Sequence, residues 1–189
     1  PDIPLNVSRS YLQADGAVKK ISNYIARKVA DKLNSLFKKD RKGFEEKWND
    51  IKVVIEYGML SEDKFFDKSD NFALYPTTEG EYFTFNELKE NIKDQQTDKD
   101  DKLIILYASD ADAQHSYIQQ ANAKGYKVLL LDSPIIGHLI QKMEGSKEKT
   151  SFARVDGDTL ENLIKKDETV ISKISDEEKE KLKPIIENV

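Results

Sequence analysis

From Val18 the apolar residues Ile21, Ile25, Val29, Leu33 and Leu36 return at three- and four-residue steps. This is the spacing of one face of a long amphipathic helix, and the opposite face is rich in Lys and Arg. After a break at Asp40 to Gly43, a second stripe of Phe44, Trp48, Ile51 and Ile55 predicts another helix with Gly58 as its C-terminal stop. Together the two read as a helical hairpin. Leu60 to Gly80 mixes aromatics with Asp, Ser and Thr without a sustained period, which predicts short helical turns and loops. Thr84 and Glu87 fit a capping box opening a helix through Ile92, and Lys93 to Lys102 reads as a charged, solvated loop.

Beyond residue 102 the pattern changes. Leu103 to Tyr107, Val128 to Leu131 and Ser151 to Val155 are short apolar runs. Between them lie helical patterns, one on Ala113, Tyr117, Ile118 and Ala121 ending at Gly125, the other from Pro134 through Met143 with a stop at Gly145; a last one covers Leu160 to Ile164. Strand, helix, strand, helix, strand predicts a parallel sheet with right-handed crossovers. Helices on both faces explain strands that read as solid apolar runs rather than alternating ones. Ser175 with Glu178 forms a further capping box, and Pro184 opens a helix whose stripe, Ile185, Ile186 and Val189, lacks a partner surface within the chain.

Composition narrows the function classes. With 189 residues, 38% apolar and 34% charged, the chain suffices for one domain or two small ones in series. The net charge of -5, with acidic and basic residues interleaved, offers no one-signed basic patch for a phosphate backbone, so nucleic acid is not an expected partner. The absence of cysteine excludes disulfides and thiolate metal sites and fits a reducing compartment. No apolar run approaches the roughly 20 residues that span a bilayer, and no basic region followed by a long apolar stretch opens the chain. It starts at Pro1 without an initiator Met, which reads as a piece of a longer protein.

Three features carry candidate chemistry. The first is Leu5-Asn6-Val7-Ser8-Arg9-Ser10-Tyr11-Leu12-Gln13, just ahead of the first long helix. An arginine on a loop presents a permanent charge and a planar fork of donors, suited to the terminal phosphate of a nucleotide held by another domain. Gln13, a turn later, is placed to assist. The same segment also reads as an exposed Arg with Ser8 or Ser10 capping the helix. The second feature is a set of strand-end aspartates, Asp110, Asp112 and Asp132, where ligands of open α/β sheets gather; as a receiver-like or small-ligand module they would hold a phosphoacceptor or magnesium site, and as caps they would only start helices. The third is the pair His115 and His138, which has no metal-ligand spacing and reads as surface; Trp48 reads as core. Neither Gly-x-x-x-x-Gly-Lys-[Ser/Thr] nor Gly-x-Gly-x-x-Gly occurs, so the chain has no nucleotide cradle of its own and autonomous ATP hydrolysis is not expected.

Asp2-Ile3-Pro4-Leu5-Asn6-Val7-Ser8-Arg9 with Leu12-Gln13 resembles the catalytic-loop signature of the 90-kilodalton heat-shock chaperones, Asp-Leu-Pro-Leu-Asn-(Val/Ile/Leu)-Ser-Arg-Glu-x-Leu-Gln. The resemblance extends through Phe44-Glu45 to Ile55, Gly58 and Ser61-Glu62-Asp63, then to Leu106-Tyr107-Ala108-Ser109 and Gly125 to Leu131. The chain is similar to the middle segment of such a chaperone, in its bacterial form. Ser10 and Tyr11 depart from the usual Glu and hydrophobic residue, and Ile136-Gly137-His138 from an acidic stretch after Asp132-Ser133-Pro134. The first departure leaves the arginine in place, and the second removes the basis for carrying client contacts over to that surface.

The resemblance implies an α/β fold in which a helical hairpin links the end of one α/β subdomain to a small three-layer αβα subdomain with a mostly parallel sheet. Residues 1–13 would be the catalytic-loop tail of the larger subdomain, 14–100 a helical connecting region, 101–174 the small α/β subdomain, and 175–189 the lead-in to a C-terminal dimerisation domain. It further implies that Arg9 contacts the terminal phosphate with Gln13 assisting, that Asn6 and Ser8 shape the loop, and that ATP and Mg are bound mainly by a preceding N-terminal domain. The implied partners are that domain, the dimerisation domain and client proteins, in a cytoplasmic homodimer without nucleic acid or membrane contacts. A purely structural spacer, with Arg9 idle, is the remaining alternative.

Overall fold

The computed structural model describes the backbone pairs at residues 7–8 and 11–12 and all of residues 16–166, with side chains from Lys19 onward. β1 (Val7–Ser8) and β2 (Tyr11–Leu12) pair antiparallel, Val7 opposite Leu12 and Ser8 opposite Tyr11. α1 (Gly16–Lys39) is the predicted long helix, but its packed edge differs from the predicted one. Ala30 and Phe37 are buried with Ala26 and Leu33 beside them, whereas Ile21, Ile25, Val29 and Leu36 stay exposed. α4 (Asp63–Ser69) runs beside α1, joined to it where Ser22 Oγ donates to Glu62 Oε1 at 2.7 Å and where Lys68 pairs with Asp31. Small residues at such a contact let two helices approach closely, and two alanines add little to a hydrophobicity pattern.

The single predicted helix across Phe44 to Gly58 is two. Asp40 caps α2 (Arg41–Glu46), its Oδ1 accepting from the Gly43 amide at 2.9 Å; α3 (Trp48–Ser61) begins after Lys47 and runs past Gly58. Gly58 therefore is not a stop. It makes room for a neighbour, since a Cβ there would lie 3.1 Å from Phe65 Cε1. The stretch predicted to be short helical turns and loops, Leu60 to Gly80, contributes the short helix α4 and also β3 (Tyr75–Pro76), which pairs antiparallel with β4 (Tyr82–Phe83). Phe65, Phe66, Phe72, Ala73, Leu74 and Tyr75 are all buried there, with Phe65 and Phe72 edge to face at 5.7 Å. A short helix, a turn and a strand in the 14 residues from Asp63 to Pro76 leave too few repeats of either period to register in sequence.

α5 (Phe85–Gln96) opens on the predicted capping box: Thr84 Oγ1 accepts from the Glu87 amide at 3.4 Å, and Glu87 Oε2 from the Thr84 amide at 2.9 Å. The sheet that follows is parallel, in the order β6 (Val128–Leu130), β5 (Leu103–Ala108), β7 (Thr150–Arg154). Its central strand divides its side chains by alternation. Leu103 and Ile105 join one core with α3, α5 and α7 (Ile136–Ser146), while Ile104, Leu106 and Ala108 join another with α6 (His115–Ala123) and α8 (Leu160–Leu163). This is the predicted α/β arrangement with both faces of a parallel sheet covered. α6 stops at Gly125, whose φ of 78° suits only glycine well, whereas α7 runs through the predicted stop at Gly145.

The helical part and the sheet share one core and several polar ties. Gln96, fully buried, donates through Nε2 to Ile104 O at 2.9 Å and accepts from the Lys127 amide at 2.6 Å, so its amide group is satisfied by two strand regions. The capping box at Ser175 and Glu178 and the Pro184 helix lie outside the described residues.

Candidate functional site

Of the predicted site residues, Asn6, Arg9 and Gln13 lie outside the described residues, and Ser8 is described only as a strand residue paired with Tyr11. The structure describes the elements that follow this segment. α1 starts at Gly16, four residues beyond β2, and its basic last turn, Lys38 and Lys39, ends against α2. At that far end, Arg41 gathers three elements. Its Nε donates to Glu45 Oε1 at 2.8 Å, its Nη2 to Tyr82 O at 2.9 Å and to Glu87 Oε2 at 3.0 Å, and its guanidinium lies 5.3 Å from the centre of the Phe37 ring. The fork matches a carboxylate and a carbonyl together, a geometry lysine lacks. Hydrogen bonding to Glu87, then to Glu45, pushes the already high Arg41 pKa further up, and the same contact holds Glu87 below the usual carboxylate range.

Two lysines, one in α7 and one at its C-terminal end, make further ties. Lys142 Nζ donates to Asp63 Oδ1 at 2.8 Å and lies 5.0 Å from the Phe66 ring centre; Lys147 pairs with Asp70 and lies 4.9 Å from the Phe85 ring centre. Each cation sits between a carboxylate and a ring face, where charge and quadrupole act together. These contacts tie α2 to β4 and α5, and α7 to α4. Sequence reading missed Arg41, Lys142 and Lys147, because their partners lie 46, 79 and 77 positions away.

The strand-end aspartates are not brought together. Asp110 Oδ1 accepts from the Asp112 and Ala113 amides, each at 3.0 Å, the turn-capping role; Asp132 pairs with Lys52 of α3 at 2.6 Å. Among the described residues no group of three or more His, Asp or Glu is arranged to hold a metal ion. His115 and His138 are exposed and Trp48 is 2% exposed within the core, as expected. No helix among the described residues is long and apolar enough to cross a membrane.

The profile of the family described as Hsp90 protein matches residues 1–189. The chaperone protein htpG of Bacteroides fragilis (strain YCH46) is 55% identical over 168 residues, covering 89% of this chain and 25% of the relative. The chaperone protein HtpG of Porphyromonas gingivalis (strain W83) is 48% identical over 187 residues, 99% of this chain and 27% of the relative. The chain spans about a quarter of the length of these relatives. In fold it is similar to the middle domain of a Plasmodium falciparum heat shock protein, with a TM-score of 0.58 at 12% identity, covering 77% of this chain and 61% of that one. The match along the whole length, together with the likeness in fold, means that the chain belongs to the Hsp90 chaperone family.

Proposed function

We propose that the chain is the middle segment of an ATP-dependent chaperone of the HtpG type and supplies Arg9 to the terminal phosphate of a nucleotide bound by an N-terminal domain. The observation that carries this reading is the run Asp2-Ile3-Pro4-Leu5-Asn6-Val7-Ser8-Arg9 with Leu12-Gln13, in a chain matched to the family from end to end. The guanidinium of Arg9 offsets charge developing on the phosphoryl oxygens, Gln13 supports it, and Asn6 and Ser8 shape the segment. ATP and Mg belong mainly to the N-terminal domain. Residues 1–13 end a larger α/β subdomain, 14–100 connect it to the small subdomain at 101–174, and 175–189 lead towards a dimerisation domain.

The mechanical part of the proposal rests on the ties already described. A displacement at the arginine segment enters α1, and the Arg41, Lys142 and Lys147 contacts pass it to the sheet as a rigid-body movement. In a cytoplasmic homodimer this couples hydrolysis to remodelling of client proteins. The test is the full-length protein carrying Arg9→Ala, assayed for both ATP turnover and nucleotide binding. The expected result is a turnover loss of about a hundredfold or more with binding retained, the signature of a contact made mainly in the transition state. Unchanged turnover would eliminate the role.

A further inference from the structure

Glu56 is a charged residue in the wrong surroundings. It sits on α3 and is 8% exposed, and its Oε2 is buried without a hydrogen-bond partner. It lines a small cleft of about 10 Å³ where α3 meets the carboxyl end of β6, roughly the room one water needs. The walls are otherwise mostly apolar: Trp48 and Met59 from α3, Leu131 after β6, Ile136 and Leu139 from α7.

The charged and titratable groups facing the cleft are few. Lys52, one turn back on α3, is committed to Asp132 Oδ1 at 2.6 Å and to Asn49 Oδ1 at 3.2 Å. Asp132 adds a second negative charge. Tyr75 on β3 turns its hydroxyl to Met143 Sδ at 3.5 Å, and burial, with Asp70 and Glu56 adding to it, holds it in the neutral phenol form. α7 contributes only apolar side chains to the lining. One ammonium therefore serves two carboxyls, and its contact goes to Asp132. Burial pushes the Glu56 carboxyl above the usual range; the Ser133 hydroxyl and Lys52 oppose that shift, and Asp132 adds to it. An ionised carboxylate left in such a site is an uncompensated buried charge and destabilises the fold unless it takes a proton or draws in water.

We propose that Glu56 is a buried proton-binding site that sets how tightly α3 closes on the carboxyl end of β6. With the carboxyl neutral, its O–H meets its own hydrogen-bonding needs in the cleft, through a single water or Ser133, and the seam stays shut. Loss of the proton leaves a carboxylate facing Asp132, and the seam opens to hydrate it. The proposal rests on Glu56, Lys52 and Asp132 and not on the role proposed for Arg9.

The test uses the 189-residue chain and its Glu56→Gln variant, whose side chain mimics the neutral acid. Because the folded pKa is raised, the native state holds the proton more tightly than the unfolded chain does. The stabilisation is complete below the ordinary glutamate range and lost as pH rises through the raised value. The wild-type melting temperature should fall relative to that of Glu56→Gln as pH rises from the ordinary glutamate range through neutrality. Hydrogen exchange should show the amides of Ile55 to Ser61 opening up to about tenfold more per pH unit in the wild type than in the variant, after correction for intrinsic exchange. A wild type and variant that run parallel across this range would overturn the proposal. Asp132→Asn provides a second arm, because it removes a negative charge and frees Lys52 for Glu56. It should move the midpoint of the transition to lower pH, and an unmoved midpoint counts against the proposal even if Glu56→Gln fails to fold.

Discussion

Lys52 Nζ lies 2.6 Å from Asp132 Oδ1, tying the middle of α3 to the residue chain that leaves β6, 80 positions later. The lysine side chain is 15% exposed and the aspartate 44%. Water therefore reaches the acid and screens the pair, so its net worth is small despite the short distance. In a double-mutant cycle of Lys52→Met and Asp132→Asn made in the Glu56→Gln background, where a freed Lys52 finds no second carboxylate, unfolding in urea should give a coupling energy below about 1 kcal/mol. A coupling of several kcal/mol would mean that the pair is far drier than its exposure indicates.

Gly58 and Gly145 are both helical glycines, yet replacing each by alanine should act in opposite directions. A Cβ at Gly58 meets Phe65 Cε1 at 3.1 Å, and that ring is 5% exposed and fixed against Phe72. A Cβ at Gly145 meets nothing within 4 Å. Alanine is worth up to about 1 kcal/mol over glycine in a helix, whereas overpacking a core costs about 1–3 kcal/mol. Gly58→Ala should lower the melting temperature and Gly145→Ala raise it slightly, as thermal unfolding by circular dichroism would show.

The corrected face of α1 gives a third comparison. Phe37 is 8% exposed and stacks edge to face on Phe44 at 5.6 Å, whereas Ile25 is 55% exposed. Phe37→Ala should cost about 3–5 kcal/mol in the 189-residue chain, and Ile25→Ala no more than about 0.5 kcal/mol. Comparable losses at the two positions would restore the face that the spacing alone predicts.

That face marks where sequence reading reached its limit. The strands at Leu103, Val128 and Ser151 were legible because a solid apolar run bounded by helices has one economical solution, a covered parallel sheet. The Thr84 and Glu87 box was legible because its partners are three residues apart. β3 was not, and α4 only as short helical turns, since Phe65, Phe66, Phe72 and Tyr75 enter one core from a short helix, a turn and a strand and follow no shared period. The arginine segment was legible only as a motif, and the Arg41, Lys52 and Glu56 contacts not at all. A carboxylate's partner across many positions depends on tertiary packing, which no local spacing encodes.

Glu87 and Glu56 should give the pH profile two limbs of opposite slope. Hydrogen bonding from Arg41, with backbone and hydroxyl contacts at Thr84, lowers the Glu87 pKa against a smaller opposing effect of burial. The native state then binds that proton less readily than the unfolded chain. Its contribution is present above the ordinary glutamate range and lost as pH falls through the lowered value. Because the side chain is 40% exposed, the size of the effect is reduced by solvent, but its direction is not. Glu87→Gln should therefore make the acid limb of the melting-temperature profile less steep, the other carboxylates held below their usual range keeping the rest of it, and leave the neutral limb intact, whereas Glu56→Gln should flatten the neutral limb alone. Arg41→Lys separates charge from shape at the same place. It keeps the positive charge beside Glu87 while losing the simultaneous bonds to Glu45, Glu87 and Tyr82 O. The expected outcome is a lower melting temperature at every pH with part of the acid slope retained, because charge alone still favours the Glu87 carboxylate. A full wild-type melting curve in Arg41→Lys would show that the fork geometry contributes nothing to joining α2, β4 and α5.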